Sequence, residues 1–153
     1  MNVALAYNVK PESDTFTENL PPIRSNNFTK EESVIETYAE WDTWETINAL
    51  KEAIEVYHDI NLIEADINAF EKFRQSKPDI VFNISEGFNN LSRESQIPAM
   101  LDMLNIPYTG SDALTLGICL DKARTKEILS YYKIPNANFI LVDKYKPLSL
   151  IHI

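Results

Sequence analysis

The sequence predicts an α/β fold, a doubly wound parallel sheet with helices on both faces. Two observations carry that expectation. Short apolar runs alternate with amphipathic segments through short links, as right-handed βαβ units require. The run Asp79-Ile80-Val81-Phe82-Asn83-Ile84 is β-branched and apolar on both faces, as in a strand covered above and below.

The first strand is read at Val3 to Tyr7, bounded by Asn8 and Pro11. Residues 8–40 are polar, contain Pro11, Pro21 and Pro22, and show no period, so they read as an extended loop with a short helical piece near Glu31 to Thr37. Asp42 then offers an N-cap with Glu45 in capping-box position, and Ile47, Leu50, Ile54 and Tyr57 follow on one helical face. Ile60 to Glu64 is the second strand. Asp66 can cap a second helix with Ile67, Phe70 and Phe73 as its apolar face, and Pro78 stops it.

The third strand, 79–84, leads through a polar loop to a helix over Ile97 to Leu104, where Pro98 is tolerable in the first turn. Ile106-Pro107-Tyr108-Thr109 reads as a fourth strand. Ser111 can cap a helix over Asp112 to Leu120, which is apolar almost all round and is therefore expected to be buried. Asp121 can cap another over Lys122 to Lys133, with Ala123, Ile128, Leu129 and Tyr132 as apolar positions. Pro135 breaks the chain, and Asn138 to Asp143 reads as a further strand.

Length and charge narrow the function classes. The 153 residues suffice for one domain with a core. A net charge of −9, with Lys and Arg scattered, disfavours nucleic acid and anionic membrane surfaces as partners. The single cysteine, Cys119, excludes an internal disulfide and reads as a small buried hydrophobe. No apolar stretch approaches the roughly 20 residues of a membrane span, and the N-terminus lacks the pattern of a signal peptide, so the expected location is the cytoplasm. His58 has no evident nucleophilic partner, and neither a Walker-type loop nor G-x-G-x-x-G occurs.

Ligands of an open parallel sheet bind at the carboxyl ends of its strands. That rule selects the loop from Asn8, the loop Asn83 to Arg93, and Thr109 to Asp112. In the second, Glu86 could orient an amine or cation and Ser85 could donate a hydrogen bond; an Asx- or Ser-type turn with a solvated Glu86 explains the same residues. Thr109-Gly110-Ser111-Asp112 could present N–H groups to an anion or simply cap a helix. Lys122 could meet phosphate oxygens or stand as a surface lysine.

Four segments resemble the D-alanine–D-alanine ligases and related ATP-grasp carboxylate–amine ligases. They are Tyr38-Ala39-Glu40-Trp41-Asp42-Thr43-Trp44-Glu45-Thr46-Ile47, Pro78-Asp79-Ile80-Val81-Phe82-Asn83-Ile84-Ser85-Glu86-Gly87, Ser92-Arg93-Glu94-Ser95-Gln96-Ile97-Pro98-Ala99, and Asn105-Ile106-Pro107-Tyr108-Thr109-Gly110-Ser111-Asp112. The last continues through Leu120-Asp121-Lys122-Ala123-Arg124-Thr125-Lys126, and order and spacing match from residue 1 to about 143.

The resemblance implies a Rossmann-like, pre-ATP-grasp substrate-side domain over 1–110. Linker helices and the first strand of a truncated ATP-grasp domain would follow over 111–147. The last six residues, 148–153, are what the codons CTG TCT CTT ATA CAC ATC would encode, a string that resembles a transposon-type sequencing adapter, and are read as a non-native tail. For the intact parent the resemblance implies an ATP- and magnesium-dependent ligase of peptidoglycan precursor synthesis that joins two amino acids through an acyl phosphate, with a homodimer suggested by the resemblance alone. Most ATP and magnesium ligands would lie beyond residue 143, so the chain alone is expected to be inactive, and Lys122 matches a phosphate-contacting lysine.

The sequence also departs from the family. A Gly-Gly-x-Ser-x-Glu segment after strand one is replaced by Asn8-Val9-Lys10-Pro11-Glu12, and His-Gly after strand three by Glu86-Gly87. A related subgroup carries Gly-Glu before Ser-Arg-Glu, where Asn90-Leu91 stands here. Glu12, Glu40, Ser85, Glu86, Gly87, Thr109, Gly110 and Ser111 are the residues expected at the substrate, and the amino acids joined stay open. Two other readings are a standalone small-carboxylate-binding or regulatory domain without catalysis, and a hydride-transfer enzyme, against which the missing glycine fingerprint counts.

Overall fold

The computed structural model describes residues 1–11, 38, 40–88 and 91–141. Three parallel strands, β1 (Asn2–Tyr7), β2 (Asp59–Glu64) and β3 (Ile80–Asn83), form a sheet of order β2-β1-β3. Val3 pairs with Ile60 on one side and Ile80 on the other, which sets the register and places the ends of β1 and β3 together. The helices are α1 (Trp44–Glu55), α2 (Ala69–Ser76), α3 (Gln96–Leu104, entered through a 3₁₀ turn at Arg93–Ser95), α4 (Ala113–Leu120) and α5 (Lys122–Tyr131).

The alternating side chains of β1 divide the core. Ala4 and Ala6 face α2 and α3, where Phe73, Ile97 and Leu101 close over them; alanines suffice because those larger side chains fill the space. Leu5 and Tyr7 face α1 and meet Ile47, with Leu62 and Phe82 packed alongside. Helices therefore cover both faces, as the doubly wound expectation requires. Left-handed residues end two of them: Lys77 (φ 45°) stops α2 just before Pro78, and Asn105 (φ 52°) stops α3.

Several sequence expectations are corrected. Thr43 rather than Asp42 caps α1, its hydroxyl accepting from Thr46 N–H, because the Asp42 backbone is engaged elsewhere. Asp42 N–H donates to Asn8 O (3.1 Å), and Asp42 O accepts from Lys10 N–H (2.8 Å), a bridge that draws residues 8–10 out of the supposed loop. Asp66 forms an Asx turn, accepting from Asn68 N–H (2.8 Å) and Lys72 Nζ (2.8 Å), so α2 starts later and Ile67 points to solvent. Tyr57 lies beyond the end of α1 and is exposed.

The fourth strand shrinks to one parallel bridge, Val81 with Tyr108, flanked by Pro107, which has no N–H to donate, and by Gly110 at φ 96°. Asp112, not Ser111, caps α4 by accepting from Thr115 N–H (2.7 Å). Neither α4 nor α5 contains a buried residue, and Cys119 is exposed. The apolar circumference of α4 exceeds the one side that the 3₁₀ turn and α3 cover, and polar bonds hold it: Ser95 Oγ donates to Ala113 O (2.7 Å) and Thr125 Oγ1 to Ile118 O (2.7 Å). Residues 138–141 form no strand; Phe139 instead sits beneath Lys126 Nζ. The helical piece near 31–37, Glu12 and residues 142–153 lie outside the described residues.

Phe73→Ala is expected to cost about 4 kcal/mol in urea unfolding, because Phe73 is fully buried at the centre of the larger cluster. Ile67→Ser, which the sequence pattern would rank alongside it, is expected to change stability by less than about 0.5 kcal/mol.

Candidate functional site

Asn8 ends β1 and is buried. Its Nδ2 donates to Ala65 O beyond β2 (3.1 Å), and its Oδ1 accepts from Glu86 N–H (3.0 Å) and Gly87 N–H (2.8 Å) beyond β3. One amide thus ties together the carboxyl ends of all three strands. Gly87 adopts φ 66°, and a Cβ there would collide with the Arg93 carbonyl, so glycine is required. Trp41 Nε1 donates to Gly87 O (3.2 Å), and Gln96 clamps Phe88 by accepting from its N–H and donating to its O. At the end of β3, Asn83 Oδ1 accepts from Ser85 Oγ (2.6 Å) and Ser85 N–H (3.2 Å).

These loops bound a cleft of about 350 Å³ at the carboxyl edge of the sheet. Glu40, Asp42, Glu86 and Glu94 contribute carboxylates; Asn83, Ser85 and Ser111 add polar groups, and Ile84, Gly110 and Leu116 complete the wall. The carboxylate oxygens of Glu40, Glu86 and Glu94 lie within 4.8 Å of one another, the set among the described residues that could hold a cation. Arg93 forms an ion pair with Glu40 and stands 3.8 Å from Glu94. Burial pushes the Glu86 carboxyl above its ordinary range, and the neighbouring carboxylates of Glu94, Glu40 and Asp42 push it further, while Arg93 opposes them in part.

Of the residues singled out in the sequence, Glu40, Ser85, Glu86, Gly110 and Ser111 line this cleft. Gly87 lies behind it, shaping the loop. Thr109 faces away from the cleft: its Oγ1 accepts from Asn83 N–H (3.1 Å), fixing the end of β3, and it borders a separate apolar recess with Met1 and Ile54. Lys122 is exposed on the first turn of α5 and does not line the cleft. Glu12 lies outside the described residues. Asn8, Asp42, Arg93 and Glu94 were missed as site residues, although each offered a signal. Asn8 is the first polar residue after an apolar strand, and Asp42, Arg93 and Glu94 lie in segments that carry the family resemblance.

Asn8→Ala strands one carbonyl and two N–H groups in a buried setting, and an expected loss of about 3 kcal/mol would be read as a lower urea midpoint at unchanged slope. Glu86→Gln should act in the opposite direction. A carboxyl raised in the folded state costs stability wherever it is ionised, and costs nothing once both folded and unfolded forms are protonated. The variant should therefore melt higher than the parent at neutral pH. Its advantage should fade as pH falls through the raised value toward the ordinary glutamate range, and melting curves across pH would check this.

No family model matches the chain. Curated proteins do. The D-alanine–D-alanine ligase of Pelotomaculum thermopropionicum is 34% identical over 86 residues, covering 56% of this chain and 26% of that protein. The enzyme of the same name from Thermoanaerobacter sp. is 32% identical over 108 residues, covering 71% of this chain and 28% of that protein. The chain thus spans about a quarter of the length of the curated relatives it matches. Among solved structures, the D-alanine–D-alanine ligase from Bacillus anthracis complexed with ATP superposes with a TM-score of 0.56 at 20% identity, over 99% of this chain and 43% of that one, which shows a shared fold. In sequence over more than half its length and in fold over nearly all of it, the chain is similar to D-alanine–D-alanine ligases.

Proposed function

We propose that the chain is the substrate-side part of an ATP-dependent ligase that joins two amino acids. The observation that carries this reading is the acidic cleft at the carboxyl edge of the sheet, in a chain that resembles ligases of amino acids. In the proposed reaction the γ-phosphoryl group of ATP passes to a carboxylate oxygen of the first amino acid, giving an acyl phosphate and ADP. The amine of the second attacks the acyl carbon, phosphate departs with its bonding pair, and the amine loses a proton as the amide forms. Such chemistry depends on positioning and on charge stabilisation.

The role proposed for the described residues is to hold and orient an ammonium group. Glu86 faces the cleft with Glu94 and Glu40 beside it, and Ser85 and Ser111 lie within the same wall. Glu12, Gly87, Thr109 and Gly110 are proposed to complete or shape that subsite. Lys122, exposed at the start of α5, is proposed to approach the ATP phosphates, with magnesium neutralising them through ligands in the parts of the relatives that this chain does not span. The divisions 1–110 and 111–147 are proposed as substrate-side domain and linker, with 148–153 as a tail foreign to both. Cell-wall precursor synthesis in the cytoplasm, by a homodimer that binds no nucleic acid, is the setting proposed for the intact enzyme. Among the described residues, no helix is long and apolar enough to cross a membrane. A module that binds small carboxylates without catalysis, the other reading open at the sequence level, would have to place an anion among four carboxylates, which Coulomb repulsion opposes.

The test is the complete reading frame, purified and assayed for ADP release against a panel of D- and L-amino acids. Turnover with a defined pair is expected, and Glu86→Gln should raise KM for one member by at least about tenfold while changing kcat less. A complete protein that releases no ADP with any pair would overturn the reading.

A further inference from the structure

Trp41 joins two walls of the cleft without lining it. The segment 40–42 carries Glu40 and Asp42, and the loop after β3 carries Ser85 and Glu86. Among the described residues, the hydrogen bond from Trp41 Nε1 to Gly87 O (3.2 Å) is the one that runs directly from the first to the second. Neither strand nor helix fixes the loop it reaches. Five backbone groups between Glu86 and Phe88 bond instead to side chains, two to Asn8, one to Trp41 and two to Gln96. Asn8 holds the loop from the end of β1 and Gln96 from the first turn of α3. Trp41 holds it from the side of Glu40 and Asp42, and Tyr38, edge-on at 4.5 Å, steadies the indole there.

We propose that Trp41 is a positioning residue of the amino-acid subsite. Its indole N–H sets the separation between the Glu40–Asp42 segment and the Glu86 loop, and so the place where their carboxylates meet a substrate ammonium. This inference rests on the ligase reading above and deepens it. Trp41 acts through the Gly87 backbone and through its own chain neighbours. The bond is only partly buried, and the four bonds from Asn8 and Gln96 survive without it, so its loss costs the fold little. Its loss reaches the site all the same, because Glu40 and Glu86 hold carboxylate oxygens within 4.8 Å of each other and a shift of that spacing misplaces a bound ammonium.

The experiment uses the complete reading frame and measures kcat, KM for each amino acid and KM for ATP. Trp41→Phe keeps an aromatic ring and removes the donor. A second variant, with benzothienylalanine in place of Trp41, keeps the shape of the whole ring and also lacks the N–H. Both are expected to raise KM for the amino acid that responds to Glu86→Gln by at least about fivefold, with kcat and KM for ATP within about twofold. Urea midpoints should stay close to that of the parent. In the Glu86→Gln background, Trp41→Phe should add less than about twofold, since the two changes act on one contact. Trp44→Phe is the control: that ring packs on Tyr7 (5.6 Å) and makes no bond to the loop among the described residues. Unchanged KM for both amino acids, an equal KM rise with and without Glu86, the same shift from Trp44→Phe, or unfolding of the benzothienylalanine protein would overturn the inference and leave the ligase reading intact. Turnover indifferent to Glu86→Gln would overturn it too. No ADP from the parent with any amino acid would remove both.

Discussion

The side chain of Asn8 is the interaction on which the rest of the site depends. Parallel strands end without a hairpin to tie them, so their carboxyl ends can diverge unless something crosses between them. Here a single buried amide donates to the segment after β2 and accepts twice from the segment after β3, while its own backbone oxygen accepts from Asp42. Only a side chain with both a donor and a two-lone-pair acceptor can do this in so small a volume. Asp42 and Glu86, two of the four cleft carboxylates, are placed by hydrogen bonds to this one residue. Its burial raises the cost of losing any of these bonds, since water cannot replace them freely.

That anchoring explains how an acidic cleft persists in a protein already carrying a net charge of −9. Carboxylates brought within a few ångströms repel, and free loops would let them separate into solvent. Glu86 is held by its backbone, and Arg93 gathers Glu40 and Glu94 around one guanidinium. Burial first, and then the repulsion of the neighbouring carboxylates, holds the Glu86 carboxyl above its ordinary range. Function and stability pull in opposite directions at this residue: what favours a cation disfavours the empty cleft.

The sheet was legible because burial dictates pattern. The runs at 3–7, 60–64 and 80–83 admit few alternatives, and Asp121 stands where its side-chain oxygen can reach free N–H groups, whereas at α4 the sequence pointed to Ser111 and the cap is Asp112. The errors share a cause, which is that local signals do not reveal tertiary commitments. Asp42 looks like a cap until its backbone is claimed by residues 8–10, and Asp66 looks like one until Lys72 and Asn68 draw it into a turn. Cys119 and Leu114 look buried because apolarity marks a demand for cover without saying what supplies it. At the cleft, Ser85 and Glu86 were found from their place directly after a strand, whereas Arg93, at the far end of the same loop, and Glu94 beside it stand on a short helical turn where local pattern does not reveal the charges they meet.

The far wall of the cleft obeys different physics from the near one. Asn83 ends a strand packed on both faces, and Ser85 and Glu86 follow it directly, so their backbone is set by the core beneath them. Ser111 and Leu116 are carried by α4 and the turn before it, where no side chain is buried. Their distance from Glu86 is set by the Ser95–Ala113 hydrogen bond and by the approach at Gly117, where a Cβ would stand 3.0 Å from Ser95 Oγ. Directional contacts therefore join the half-buried side of α4, where Leu116, Ile118 and Leu120 lie, in fixing the width of the cleft.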